Sequence, residues 1–136
     1  MRAWTSVLLL ATSLCAACGE STDANEGAVR ARIEALLVAA QQDEPEALLP
    51  FLAGRGEEGR RVRATGTDRE MQDVLRLRQR IRDHLASGAP HFVRFETQGK
   101  RSGTVFAWHL TFGDKDAPAI YAFVDINGDL LLVDID

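Results

Sequence analysis

The sequence has few cysteines, and both lie near its N-terminus. Only Cys15 and Cys18 occur among its 136 residues, so the rest of the chain has no thiols for an internal disulfide. The formal net charge of −4 is too mild for a general nucleic-acid-binding protein. A composition that is 46% hydrophobic and 26% charged is typical of a globular protein and excludes disorder throughout. We therefore expect one domain with its own core.

Recognisable catalytic motifs are also missing. The sequence contains no nucleophile elbow, no phosphate-binding glycine loop and no histidine–glutamate zinc motif. Its three histidines, His84, His91 and His109, are scattered without metal-ligand spacing. The sequence therefore indicates no catalytic residue, no metal ligand and no cofactor, and it favours a non-catalytic protein without deciding the question.

One apolar run stands out, and it lies at the start of the chain. Arg2 precedes an apolar stretch from Ala3 to Ala17, the pattern of an export signal. At about fifteen residues the run is shorter than the twenty or so that a membrane-spanning helix needs. Its end, "LCAAC", resembles a bacterial lipobox, although the expected leucine, Leu14, lies one place too early. The pattern predicts a signal peptide over residues 1–17 and lipidation of Cys18.

Cleavage before Cys18 would leave this cysteine as the single thiol of the mature chain. Lipidation accounts for it, because acylation of a thiol needs no second cysteine. Ordinary secretion with a free thiol and an uncleaved anchor remain the alternatives. Gly19 follows Cys18 at a position where sorting to the inner membrane would favour aspartate. The start of the mature chain therefore resembles that of lipoproteins of the outer membrane. We expect an exported protein held on a bacterial membrane and facing the periplasm. Residues 18–27 are small and polar, which predicts a flexible tether before a single domain over residues 28–136.

Two long helices are predicted from capping signals and a 3.6-residue apolar period. Asp23 and Glu26 have the spacing of a capping box, in which two side chains satisfy free N–H groups at a helix start. The apolar face of this helix comprises Val29, Ile33, Leu36, Leu37 and Ala40. Thr67 and Glu70 repeat the spacing, and the apolar face that follows comprises Met71, Val74, Leu75, Ile81 and Leu85.

The segment between these helices is polar and rich in arginine. A short helix is predicted over residues 46–52, and an exposed loop over 54–66, where four glycines occur. The nine arginines between positions 55 and 82 are Arg55, Arg60, Arg61, Arg63, Arg69, Arg76, Arg78, Arg80 and Arg82. They indicate either a solvated helix face with a polar loop, or a basic patch for an anionic partner or lipid headgroups.

After Pro90 the apolar period changes to two, which predicts antiparallel strands. In the first strand Val93 and Phe95 share one face, opposite Phe92, Arg94 and Glu96. In the second, one face comprises Phe106, Trp108, Leu110 and Phe112, and the other comprises Val105, Ala107, His109 and Thr111.

The last stretch, "YAFVDINGDLLLVDID", suggests either a calcium loop or a hairpin. A calcium loop needs glycine at its sixth position, where this sequence has Leu130. Asn127-Gly128 between apolar runs is a strong signal for a type I′ turn. We therefore predict a hairpin that pairs Ile126 with Asp129, Val124 with Leu131 and Ala122 with Val133. The pairing places Asp134 across from Tyr121, on the face of Asp125.

Helices such as "IEALLVAAQQDEPEALLPFL", followed by a meander that ends "YAFVDINGDLLLVDI", resemble the NTF2-like (cystatin-like α+β cone) superfamily, in particular its small bacterial lipoproteins. The resemblance implies N-terminal helices packed on a curved four-stranded antiparallel sheet around a cone-shaped cavity. It also implies that a homodimer can form through the outer face of the sheet, because many members of the superfamily dimerise there. The family's catalytic residues have no counterpart that can be identified here.

These observations predict a lipid-anchored envelope protein whose non-catalytic domain binds a small apolar ligand or a protein partner. The candidate pocket residues are Phe106, Trp108, Tyr121 and His109. A rival hypothesis is an isomerase or hydrolase of the cone type that uses His109 with Asp125 or Glu96. A third is a structural module that docks at the envelope through residues 55–63.

Overall fold

The computed structural model describes residues 21–100 and 103–136. It consists of α1 (Ser21–Ala39), a 3₁₀ helix (Pro45–Phe51), β1 (Ala53–Arg55), a 3₁₀ turn (Glu57–Gly59), β2 (Arg61–Arg63), α2 (Asp68–Ala86), β3 (Pro90–Lys100), β4 (Gly103–Phe112), β5 (Ala119–Ile126) and β6 (Asp129–Ile135). Strands β3 to β6 form one antiparallel sheet in sequence order. The predicted α+β class, with helices preceding a four-stranded meander, is confirmed. The predicted signal peptide and Cys18 lie outside the described residues.

Helix α1 begins within the segment that we predicted as a tether. Residues 21–27 are helical, and the predicted domain boundary at residue 28 falls within this helix. The indole Nε1 of Trp108 donates a hydrogen bond of 3.0 Å to the backbone oxygen of Glu26, which ties this turn to β4. Small polar residues give little intrinsic reason for a helix, and the stabilising contact comes from a distant strand.

The start of α2 has the predicted capping box. Thr67 accepts a hydrogen bond from the backbone N–H of Glu70, and the Glu70 carboxylate reaches back to the N–H of Thr67. Val74 and Ile81 are fully buried, as the apolar period predicts. Leu75 is 52% exposed, so its place in the predicted stripe is wrong. It lies one residue beyond Val74 and points about 100° away around the helix.

The predicted exposed loop over residues 54–66 contains a two-stranded hairpin. Strands β1 and β2 pair Gly54 with Val62, and the chain before β1 forms a parallel bridge from Leu52 to Leu132 in β6. A Cβ atom at Gly54 would lie 2.1 Å from the Glu70 carboxylate oxygen Oε2. A larger residue there would therefore displace the Glu70 carboxylate that caps α2. The glycines and charged residues of segment 54–66 leave it without an apolar period of two, so periodicity does not indicate these short strands.

A β-bulge changes the predicted faces of β3. The register between β3 and β4 shifts between Phe92 and Arg94, and Val93 is 60% exposed. The extra residue puts Phe92 and Phe95 on the same face, against Trp108, with ring centroids 5.1 and 5.5 Å from the indole. The predicted pairing of Val93 with Phe95 on one face is therefore wrong, because strict alternation ends at a bulge.

The last hairpin has the predicted turn and a second bulge. Asn127 and Gly128 have φ values of 53° and 91°, and Ile126 pairs with Asp129 as expected. Beyond the shift between Ala122 and Phe123, Ala122 pairs with Asp134 and Tyr121 with Ile135. The predicted partner of Ala122, Val133, is wrong. Asp134 consequently faces away from Tyr121 and Asp125, so the two aspartates do not share a sheet face.

The core lies between the helices and one face of the sheet, which we call the inner face. Its buried side chains come from α1, the first 3₁₀ helix, α2 and the inner faces of the strands, and include Ile33, Leu48, Ile81, Leu110, Phe123 and Leu132. On the opposite, outer face of the sheet, Ala107, Val124 and Leu131 are also buried but lie outside this core cluster. Among residues 21–100 and 103–136, no helix is both long and apolar enough to cross a bilayer.

Candidate functional site

The predicted pocket residues lie on both faces of the sheet. Phe106, Trp108 and Tyr121 are on the inner face, where they are 8%, 6% and 0% exposed. His109 is on the outer face, paired with Ile120 of β5 and Arg94 of β3. One pocket lined by all four side chains is therefore excluded by the alternation of β4.

The inner-face aromatic residues pack against one another and against the helices. Phe92 meets Trp108 edge to face, at an interplanar angle of 84°, and Phe95 stacks near Phe106 at a centroid distance of 6.4 Å. The bond from Trp108 to Glu26 satisfies the indole N–H. These contacts use the aromatic stripe of β4 as core.

The outer face holds a shallow groove, here called the outer-face groove, with a volume of about 220 Å³. Its floor is made of small and branched apolar residues on the two central strands, and its walls are polar residues on the two edge strands. The lining residues are Glu96, Gln98, Lys100, Val105, Ala107, Ile120, Ala122, Asp134 and Asp136. Ala107 and Ala122 are directly paired. Their small side chains form the floor between the longer polar side chains of the edge strands.

The groove has an acidic balance. Its lining includes three carboxylates, on Glu96, Asp134 and Asp136, and one ammonium group, on Lys100. Asp134 reaches this face only because of the bulge in β6. The arrangement is an apolar strip between charged rims, which suits a partner with an apolar surface and basic residues beside it.

A histidine cluster lies beside the groove on the same face. His109 is 7% exposed, and its Nε2 lies 3.1 Å from Oε1 of Glu96 and 3.2 Å from Nη2 of Arg94. Arg94 also donates to Oε2 of Glu96 at 3.3 Å. The hydrogen bond from His109, and then the charge of Arg94, lower the pKa of Glu96 from its usual value.

Of the two carboxylates proposed as partners for His109, the structure brings only Glu96 near. The bulge in β3 sets Arg94 opposite His109 and leaves Glu96 beside it, opposite Ala107. Asp125 lies at the far turn, where its carboxylate accepts a 2.7 Å hydrogen bond from the N–H of Gly128. The Glu96–His109 pair has the groups needed for proton transfer.

A second polar pair, missed in the sequence analysis, joins α2 to the sheet. The Nδ1 atom of His84 lies 2.8 Å from the hydroxyl oxygen of Tyr121, and the His84 ring stacks on Phe112 at a centroid distance of 4.9 Å. Burial, and then the charge of Arg80, lower the pKa of His84. Burial raises the pKa of Tyr121. The available signal was the position of His84, three residues after the buried Ile81 and thus on the inward side of α2.

Beside this pair lies a cavity of about 220 Å³, here called the His84 pocket. It is bounded by the C-terminal end of α2 and by the loop that joins β4 to β5. Its lining includes His84, Ser87, Phe112, Lys115, Pro118 and Asp136. The lining therefore combines aromatic and apolar residues with hydrogen-bonding and charged groups.

Several arginines of the predicted basic cluster bind groups within the protein. Arg82 donates to the backbone oxygens of Ala40 and Gln42, at 2.9 and 3.1 Å, and Arg78 donates to that of Asp43 at 3.1 Å. Arg80 donates to the oxygen of Ile135, and Arg63 pairs with Asp129. Much of the predicted basic patch thus holds elements together. Within the described residues, no group of three or more His, Cys, Asp or Glu is placed to hold a metal ion.

A comparison of the chain with protein-family models, with curated proteins and with solved structures finds no match in any of the three. The resemblance to the NTF2-like superfamily therefore stays a prediction.

Proposed function

We propose that this protein is a cell-envelope lipoprotein whose domain binds a protein partner through the outer-face groove and catalyses no reaction. The observation that carries the proposal is the contrast between the two sheet faces. Phe106, Trp108 and Tyr121 fill the inner face, whereas the outer face has a groove with an apolar floor and polar walls. A core already filled by its own side chains favours a partner on the outer face over a ligand inside the cone.

The partner that fits this surface is a protein segment with an apolar stripe flanked by lysine or arginine. The apolar floor, which includes Val105, Ile120 and the two alanines, offers hydrophobic contact, and the three rim carboxylates favour cations on either side. Exposed charges at such a rim affect mainly the association rate and its salt dependence. We therefore expect binding that weakens at high salt.

Photocrosslinking in intact cells tests the groove. A photoreactive phenylalanine derivative at Gln98, an exposed wall residue, should form an adduct with a different polypeptide. The same probe at Leu75, which is 52% exposed on α2, is the matched control and should form none. An adduct of twice the chain's mass at Gln98 would instead identify a second copy as the occupant and would contradict the proposal.

A charge placed on the groove floor gives the second arm of this test. Ala122→Arg should reduce the adduct at Gln98 roughly tenfold or more, because its bulk fills the groove floor and its charge neutralises rim carboxylates that attract the partner's cations. Leu75→Arg is the control and should leave the adduct unchanged. Equal adduct yields in the two variants would show that the groove does not hold the partner.

Metabolic labelling with radioactive palmitate tests the proposed anchor. The wild-type chain should incorporate label and sediment with membranes, whereas Cys18→Ser should lose both properties because it has no acceptor thiol. Cys15→Ser removes the other cysteine, which lies within the predicted signal peptide, and should retain the label. Equal label in wild type and Cys18→Ser would remove the lipoprotein part of the proposal.

An acid–base enzyme is the second candidate, and the 3.1 Å contact between His109 and Glu96 beside the groove favours it. Nε2 of His109 also lies near the Arg94 guanidinium, which argues for a structural ion cluster on the sheet surface. His109→Gln separates the two candidates. It should leave the Gln98 adduct intact under the binding proposal, and a gain of bound, unconverted small molecule in that variant would favour the enzyme. Docking through residues 55–63 stays a prediction.

A further inference from the structure

His84 contributes an imidazole to the lining of the pocket. Tyr121 is fully buried and its pKa is raised, so its hydroxyl keeps its proton. When this hydroxyl donates to Nδ1 of His84, 2.8 Å away, a neutral imidazole carries its proton on Nε2. Among residues 21–100 and 103–136, Nε2 of His84 has no hydrogen-bond partner and can therefore bind a ligand.

Two further donors lie around the same space. Ser87 makes only a long hydrogen bond, 3.4 Å, to the backbone oxygen of Asp83, so its hydroxyl can turn to a ligand. Burial, then the charge of Arg80, lower the pKa of His84, Asp83 opposes this effect, and Lys115, in the exposed loop beside the pocket, adds a smaller lowering. The imidazole N–H, the hydroxyl and the ammonium group form a neutral-plus-cationic donor set of the kind that binds a carboxylate.

The rest of the pocket limits the body of such a ligand. Phe112, stacked on His84, and Pro118 offer an apolar wall. A volume of about 220 Å³ is below the roughly 300 Å³ at which pockets for drug-sized molecules begin. The acidic side chain of Asp136 also lines the pocket; it offsets part of the attraction for one carboxylate and disfavours a second negative charge on the ligand.

From these observations we propose that the His84 pocket binds a small monocarboxylate with a short aromatic or apolar body. The carboxylate meets His84 Nε2, Ser87 and Lys115, and the body packs on Phe112 and Pro118. The inference is independent of the partner-binding groove, because the two sites are on different parts of the sheet and share only Asp136.

Titration of the full-length chain, in mild detergent, with benzoate and benzyl alcohol tests the proposal by NMR. Benzoate should shift the ring signals of His84 saturably and bind about tenfold more tightly than the neutral alcohol, since charge-assisted hydrogen bonds are the stronger kind. Equal affinities, or shifts that map away from His84, would overturn the proposal.

Two variants of exposed lysines test whether the charge of Lys115 contributes to benzoate binding. Lys115→Gln should weaken benzoate binding about threefold or more, as expected for an exposed charge. Lys100→Gln, on the outer-face groove, has the same change of charge and should leave benzoate binding unaltered. Equal losses in both variants would show a general charge effect and contradict a built site.

Discussion

At the scale of single residues, Glu70 joins three backbone amides before α2. Its Oε1 accepts hydrogen bonds from the N–H groups of Thr65, Gly66 and Thr67, at 3.0, 2.9 and 3.0 Å. The bond from Thr67, with those from Thr65 and Gly66, lowers the pKa of Glu70. Its other oxygen contacts the position of Gly54, so one carboxylate organises both the helix start and the approach of β1.

Glu70→Gln should lower the free energy of unfolding by about 1 kcal/mol at pH 7, because a neutral amide accepts these bonds less strongly. A carboxyl with a lowered folded pKa stabilises the protein above its unfolded pKa, and that contribution is lost as the pH falls through the folded pKa. Urea unfolding at pH 7 and at about pH 3 should therefore show a difference from wild type that shrinks in acid.

Glu57→Gln, in the exposed 3₁₀ turn, is the control and should change the unfolding free energy by less than about 0.5 kcal/mol at either pH. A Glu70→Gln difference that is the same at both pH values would show that the charge of Glu70 does not stabilise the cap.

At the scale of elements, the arginines of α2 bind the segment that follows α1. Arg82 and Arg78 donate to the backbone oxygens of Ala40, Gln42 and Asp43, in the turn that follows the end of α1 at Ala39. The negative end of the α1 dipole favours cations nearby. The α2 arginines thus tie α2 to the turn after α1.

Arg82→Met should destabilise the protein by about 1–2 kcal/mol, since it leaves the carbonyls of Ala40 and Gln42, in the turn after α1, without this charged donor. Arg76→Met is the matched control on the same helix, because Arg76 pairs with Asp73 at the surface, where its side chain is 77% exposed. That control should change stability by less than about 1 kcal/mol. The midpoint of urea unfolding is measured for both variants. Equal shifts of the midpoint from wild type would contradict a stabilising role for the hydrogen bonds of Arg82.

The sequence predicted elements with local signals and missed those set by distant contacts. The capping box of Thr67 and the turn at Asn127-Gly128 are local, and both are confirmed. The bulges at Val93 and in β6 leave no local signal, because a strand with one extra residue keeps an apolar composition. The hairpin β1–β2 depends on its neighbours β6 and α2, which a reading of the segment alone does not include.

The candidate sites were harder to predict, for the same reason. His109 and Glu96 were both named beforehand, but their contact depends on the bulge in β3. Asp134 reaches the groove only through the bulge in β6. The helical period places His84 on the inward side of α2. It does not identify the partner, Tyr121, which is thirty-seven residues away in the sequence. A pattern can place a residue on a face, while the register decides its neighbour.

At the scale of the whole molecule, the account depends on an inner face that is filled by side chains and on the proposal that the outer face binds a partner. Carbodiimide labelling of carboxylates, read by mass spectrometry, compares the protein in intact envelopes with the purified chain. Glu34 on α1, whose side chain is 61% exposed, is the internal control and should label equally in both samples. Asp134 and Asp136 should label several-fold less in the envelopes, whereas equal labelling of these aspartates in the two samples would contradict a partner on the outer face.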